Sequence, residues 1–119
     1  MTILIADDNF NMRQSIKRFL LKHIPDHHTI LEAEDGNEAV ALYNKASPDW
    51  VLMDVEMKPV DGLTACREIL LDHPNARIIV LTSFDTASYR EAAQKAGAAA
   101  YVLKNNLTEL ISVMSLLGG

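Results

Sequence analysis

The sequence predicts an α/β domain built on a parallel sheet. Short apolar runs alternate with amphipathic helical periods five times along the 119 residues. Those runs carry no regular polar face, as expected of strands covered by helices on both sides. The residues on which the runs end are polar and recur at one end of each strand, which points to where the chemistry sits.

The first strand is Thr2–Ala6, apolar apart from its first residue. Met12, Ile16, Phe19 and Leu20 then recur at helical spacing, with Arg13, Lys17 and Arg18 on other faces. Asn11 and Gln14 have the spacing of a capping box, and Pro25-Asp26 closes that helix. Residues 28–33 (HTILEA) form the second strand. Residues 35–46 form a turn and a helix with Ala39, Val40 and Tyr43 on one side. The third strand is 49–53 (DWVLM). The helix from Leu63 buries Leu63, Cys66, Ile69 and Leu70 and stops at His73-Pro74. The fourth strand is 77–82 (RIIVLT). It is followed by a helix within TASYREAAQKAGA, with Gly97 in the C-cap position. The fifth strand is 100–104 (AYVLK), and a last helix runs over 107–117. No linker, repeat or low-complexity tract interrupts the pattern, so residues 1–119 read as one domain.

Composition narrows the function. Hydrophobic residues make up 49% of the chain, charged residues 23%, and the net charge is −5. A basic footprint is missing, so direct binding of nucleic acid is not expected. The single cysteine, Cys66, excludes an internal disulfide and fits a reducing compartment. The opening apolar run is shorter than a secretory core of about 7–15 residues. No run approaches the roughly 18–20 apolar residues of a membrane span. These features predict a cytoplasmic protein with no membrane contact.

In an open parallel sheet, ligands bind outside the carboxyl ends of the strands. The first strand ends on Asp7 and Asp8, the third on Asp54, the fourth on Thr82, and the fifth on Lys104. The second ends on Glu34-Asp35, a pair expected only to serve the turn. An aspartate after a strand is often only a helix cap, but polar residues at four strand ends argue for a site. Clustered carboxylates repel, and a hard divalent cation with oxygen ligands offsets that, favouring Mg²⁺. The four histidines lie at helix ends and turns, which disfavours zinc. Mg²⁺ held by few protein ligands commonly also holds phosphate oxygens. Lys104 and Thr82 supply a cation and a donor for phosphate, and an aspartate can itself be the nucleophile. The residues therefore point to a metal-assisted aspartyl-phosphate site.

ILIADD, VLMDVEM…DG, IIVLTS and AYVLK, in this order, resemble the receiver domain of bacterial two-component response regulators over essentially the whole chain. The resemblance implies a flavodoxin-like, doubly wound (βα)5 fold with strand order 2-1-3-4-5. It implies that Asp54 accepts a phosphoryl group from a sensor histidine kinase. It implies Mg²⁺ bound by the carboxylates of Asp8 and Asp54, by the backbone carbonyl of Glu56, and by Asp7 through water. Thr82 and Lys104 would hold the phosphoryl group, and Tyr101 would turn inward as Thr82 moves, switching the face of the fourth helix, fifth strand and fifth helix. SYREAAQKAGAAAYVLK is also similar to receivers that precede a LuxR-type DNA-binding domain, which implies transcription regulation through an output domain outside this chain. A stand-alone receiver acting by protein–protein contact is the alternative.

The chain departs from the family pattern at three places. Lys58 stands where the family has proline, and Pro59 follows one place later. An exposed Lys58 would be inert; turned to the site, it would raise the local positive potential. Asn105 follows Lys104 and is expected to cap the last helix. Phe84, two residues after Thr82, is expected to exclude water from the acyl phosphate and lengthen its life. In the last helix Leu107, Leu110, Ile111 and Met114 form the expected sheet-facing stripe. Val113, Leu116 and Leu117 fall outside it, predicting a homodimer or output-domain contact. Other classes fit less well. A haloacid-dehalogenase phosphatase wants a second aspartate where Glu56 stands, and an electron carrier wants a Ser/Thr/Gly phosphate loop where Asp7-Asp8 stand.

Overall fold

A computed structural model describes residues 1–24 and 28–118. Five strands alternate with five helices: β1 (Thr2–Ala6), α1 (Phe10–His23), β2 (Thr29–Ala33), α2 (Gly36–Ala46), β3 (Trp50–Met53), α3 (Gly62–Asp72), β4 (Ile78–Thr82), α4 (Ala87–Ala96), β5 (Ala100–Leu103) and α5 (Leu107–Gly118). The strands form one parallel sheet in the order β2-β1-β3-β4-β5.

Alternate strand residues feed opposite faces of the sheet, because side chains alternate along a strand. Ile3, Ile5, Leu52, Ile79, Leu81 and Val102 pack against α1 and α5 through Ile16, Leu20, Leu110 and Met114. Leu4, Ala6, Val51, Met53 and Ile78 pack against α2 and α3 through Ala39, Tyr43, Ala65, Cys66 and Ile69. Ala93 of α4 closes on Val80 and Val55. Two-sided covering explains why these strands read as unbroken apolar runs. Register then aligns the strand ends. Ala6 pairs with both Ala33 and Met53, so the residues after β1 and β3 emerge side by side.

Several local expectations hold and others shift. Gly97 is the left-handed C-cap of α4 at φ 97°, a conformation open to glycine at no steric cost. Asp35 caps α2 by accepting from the Glu38 amide at 2.9 Å, so that acidic residue does serve the turn. The cap of α1, however, is Asn9, which accepts from the Met12 amide at 2.8 Å. Asn11 lies inside the first turn, and Gln14 reaches across to Glu32 instead of back to a cap. Likewise Asn106, not Asn105, precedes α5: its carbonyl takes the Glu109 amide and its side chain donates to the Glu109 carboxylate. The Pro25-Asp26 stop lies outside the described residues; α1 ends at His23, where the Ile24 amide returns to Leu20. Among the described residues, no helix is long and apolar enough to cross a membrane.

Cys66 is fully buried, with Sγ 3.7 Å from the Ala96 carbonyl oxygen. Burial pushes its thiol up to about 11, with Arg67 opposing weakly. A folded-state value above the unfolded one means that the neutral thiol's contribution to stability is complete below about 9 and is lost as pH rises toward 11. Cys66 should therefore resist alkylation in the native protein at pH 8 and react promptly once denaturant is added. Rapid native labelling, followed by mass, would contradict this placement.

Candidate functional site

The acidic edge is assembled by backbone before side chains contribute. Asp7 follows β1 directly, and its amide donates to the Ala33 carbonyl at 3.0 Å. Its Oδ1 accepts from the Asn9 amide at 2.9 Å. Asp54 follows β3, and its amide donates to the Ala6 carbonyl at 2.9 Å. Lys104 follows β5, its amide held by the Thr82 carbonyl at 2.8 Å. Asp7 and Asp54 are 1% and 5% exposed, while Asp8 is open to solvent.

Side chains then converge across the strands. Lys104 Nζ lies 2.7 Å from Asp7 Oδ2 and 3.0 Å from Asp54 Oδ2. Asp7, Asp8 and Asp54 each offer a carboxylate oxygen, all within 4.8 Å of one another. Asp54 Oδ1 is buried and has no hydrogen-bond partner. A buried, unpaired carboxylate oxygen in an all-oxygen acidic cluster fits a hard cation. Burial raises the Asp54 pKa, with Lys104 opposing and Asp7 adding to the rise. Burial alone would lower Lys104, yet its hydrogen bonds and charge contacts with Asp7 and Asp54 raise it, so it stays cationic.

The loop after Asp54 buries Val55 and Met57 and exposes Glu56 and Lys58. Gly62 closes it: a Cβ there would lie 1.7 Å from the Asp54 carbonyl oxygen, so only glycine lets α3 start this close to β3. Asp61 caps that helix by accepting from the Thr64 amide. The Glu56 side chain leaves the cluster and accepts from the Tyr89 hydroxyl at 3.2 Å. Lys58, joined to Pro59 by a cis peptide bond, makes no ion pair among the described residues. It borders a groove of about 630 Å³ with Asp8, Glu56, Arg67 and Tyr89.

On the other side of Asp54, Thr82 is fully buried and its Oγ1 accepts from the Phe84 amide at 3.3 Å. The Phe84 carbonyl accepts from the Tyr101 hydroxyl. Phe84 thus joins Thr82 to Tyr101 through its backbone, while its ring lies against Tyr89 with centroids 5.3 Å apart. Tyr101 is half-buried, with the Arg90 guanidinium 4.7 Å from its ring centroid. Burial, opposed by Arg90, raises its hydroxyl pKa.

Two features were misjudged or missed in the sequence. Val113 is half-buried and packs on the core formed with α1 and α5, because α5 presents a wider apolar face than its stripe suggested. The exposed remainder is Leu116, 83% exposed, and Leu117, 46% exposed. Arg13, assigned to another face of α1, is 5% exposed and donates to the Asp7 carbonyl at 2.7 Å and to Glu32 at 2.9 Å. The available signal was Glu32, an acid within an otherwise apolar strand, which needs a cation if it is even partly covered.

The family model described as response regulator receiver domain matches residues 3–115. The chain is 37% identical over 102 residues to the transcriptional regulatory protein DegU of Brevibacillus brevis, covering 86% of this chain and 43% of that protein. It is 40% identical over 102 residues to the chemotaxis protein CheY of Bacillus subtilis, covering 86% and 83%. A DNA-binding response regulator of the LuxR family from Staphylococcus aureus superposes with a TM-score of 0.89 at 28% identity, covering 99% of this chain and 98% of the other. The chain spans about half the length of the first curated relatives it matches. Family match, sheet order and acidic edge agree: this chain belongs to the response regulator receiver domain family.

Proposed function

We propose that Asp54 is the phosphoacceptor of a two-component signalling pathway, charged by a sensor histidine kinase or a small phosphodonor. The observation that carries this is the buried Asp54 carboxylate, with Oδ2 on Lys104 and Oδ1 unpartnered. Burial strips the carboxylate of water, which strengthens it as a nucleophile. An Asp54 oxygen forms the new P–O bond as the donor's bond to phosphorus breaks, P–N in a phosphohistidine or P–O in acetyl phosphate, and the electron pair of that bond stays with the departing imidazole or acetate. The product is an acyl phosphate on Asp54.

Mg²⁺, when bound, would neutralise carboxylate charge and take phosphoryl oxygens, held by the Asp8 and Asp54 carboxylates, the Glu56 carbonyl and, through water, Asp7. Lys104 exchanges its contact with Asp54 for the phosphoryl group, which carries about −1.5 to −2 charge. The Thr82 hydroxyl donates to the same group. That movement loosens its contact with the Phe84 amide, and Tyr101, bonded to the Phe84 carbonyl, repacks inward. The chain acts as a switch and catalyses only its own phosphorylation and dephosphorylation. The LuxR-family likenesses support transcription regulation through an output domain. The likeness to CheY, 83% of whose length is covered, favours a stand-alone receiver as the second reading.

Incubation with acetyl phosphate and Mg²⁺ should add one phosphoryl group to the parent, read by intact mass, and none to Asp54→Asn or in the presence of chelator. An adduct on Asp54→Asn, or none on the parent, sinks the reading. In the same experiment Phe84→Asn should shorten the life of the adduct by admitting water. Lys58→Ala should shift the Mg²⁺ dependence only if that exposed ammonium assists the donor.

Leu116 and Leu117 form the apolar end of α5 proposed to meet an output domain or a second copy. Sedimentation with and without beryllofluoride tests the second-copy form. A monomer under both conditions removes the homodimer.

A further inference from the structure

We propose that Arg13 is a positioning residue for the acidic edge, acting by geometry and against its own charge. The inference rests on the reading of that edge as a Mg²⁺ site, which the unpartnered Asp54 Oδ1 supports independently of the acidic cluster.

Arg13 sits in the first turn of α1, behind the edge and out of solvent. Its Nη1 donates to the Asp7 carbonyl at 2.7 Å, its Nε to Glu32 Oε1 at 2.9 Å, and its Nη2 lies 3.6 Å from Glu34 Oε1. Gln14 Nε2 donates to the same Glu32 oxygen at 2.9 Å. The fork therefore ties three segments together: the end of β1, the first turn of α1, and β2. The Asp7 carbonyl belongs to the planar peptide that joins Asp7 to Asp8, so holding that oxygen fixes the plane from which Asp8 departs. Asp7 is already held at its amide and its carboxylate. Asp8, exposed and making no side-chain hydrogen bond or ion pair among the described residues, takes its position from that peptide.

Charge and geometry predict opposite signs here. A guanidinium bonded to the Asp7 carbonyl brings positive charge to the back of that residue, so by Coulomb's law alone its removal would favour an incoming cation. Positioning predicts the reverse. Groups that orient metal ligands typically account for about 10–100-fold in metal affinity. Lysine keeps the charge but replaces the separate, fixed donors of the planar fork with one ammonium on a shorter stem, so it does not reproduce the Asp7 and Glu32 contacts in the same geometry.

The test is calorimetric titration of Mg²⁺ into the parent, Arg13→Met, Arg13→Lys and Glu32→Gln, each with a thermal melt. The expected result is about tenfold weaker Mg²⁺ binding in both Arg13 variants, with a smaller loss in Glu32→Gln, whose neutral amide oxygen accepts from Arg13 Nε less strongly and so loosens one arm of the fork. Unchanged or tighter Mg²⁺ binding by folded Arg13→Met overturns the inference, whatever its melting temperature, as does full rescue by lysine. Should Arg13→Met fail to fold, unchanged affinity in Glu32→Gln overturns it. A parent that binds no Mg²⁺ sinks the underlying reading instead, and the inference with it.

Discussion

One ammonium group holds the functional end of this domain together. Three carboxylates converge within 4.8 Å, two of them almost fully buried, in a place where each would repel the others. Lys104 bridges Asp7 and Asp54 from β5, the strand farthest in sequence from β1. The bridge closes only if β1, β3, β4 and β5 end in register, so the sheet order is a condition of the electrostatics. It also leaves Asp54 with one oxygen held and one free. Removing either carboxylate would relieve repulsion. That both are present despite this repulsion supports reading the edge as a site.

The bridge is linked to the rest of the molecule by short backbone connections. The Lys104 amide rests on the Thr82 carbonyl, the Thr82 hydroxyl meets the Phe84 amide, and the Phe84 carbonyl takes the Tyr101 hydroxyl. A change of charge at Asp54 thus has a continuous route to the α4–β5 surface. On the opposite side the Arg13 fork links Asp7 to β2. The site is braced on one side and jointed on the other, an asymmetry that suits the proposed switch.

Much of this was legible in the sequence because strand ends in a parallel sheet share one edge. Asp7, Asp8, Asp54, Thr82 and Lys104 could be brought together without knowing any side-chain angle. What stayed hidden depends on side-chain reach. The spacing of Met12, Ile16 and Leu20 said nothing about whether Arg13 would extend back along the helix to a buried carbonyl. Phe84 drew attention for its ring, whereas its backbone makes the connection. Asn11 and Asn9 compete as caps of α1, and the choice follows from where β1 delivers the chain. Val113 falls outside the apolar stripe of α5 on a helical wheel, yet it packs, because the core under that helix is wider than the stripe.

The most direct test of this account is the stability of Lys104→Met against the parent across pH, without divalent cations. Breaking a buried pair by removing one partner costs about 3–5 kcal/mol. With the ammonium gone, Asp54 loses the charge that opposes its raised folded pKa, so the loss should be widest at neutral pH and narrow as acid protonates that carboxylate. Denaturant melts at pH 7 and near pH 5 would report it. Equal stability at pH 7, or a gap that widens on acidification, would contradict the claim that Lys104 holds the acidic edge together.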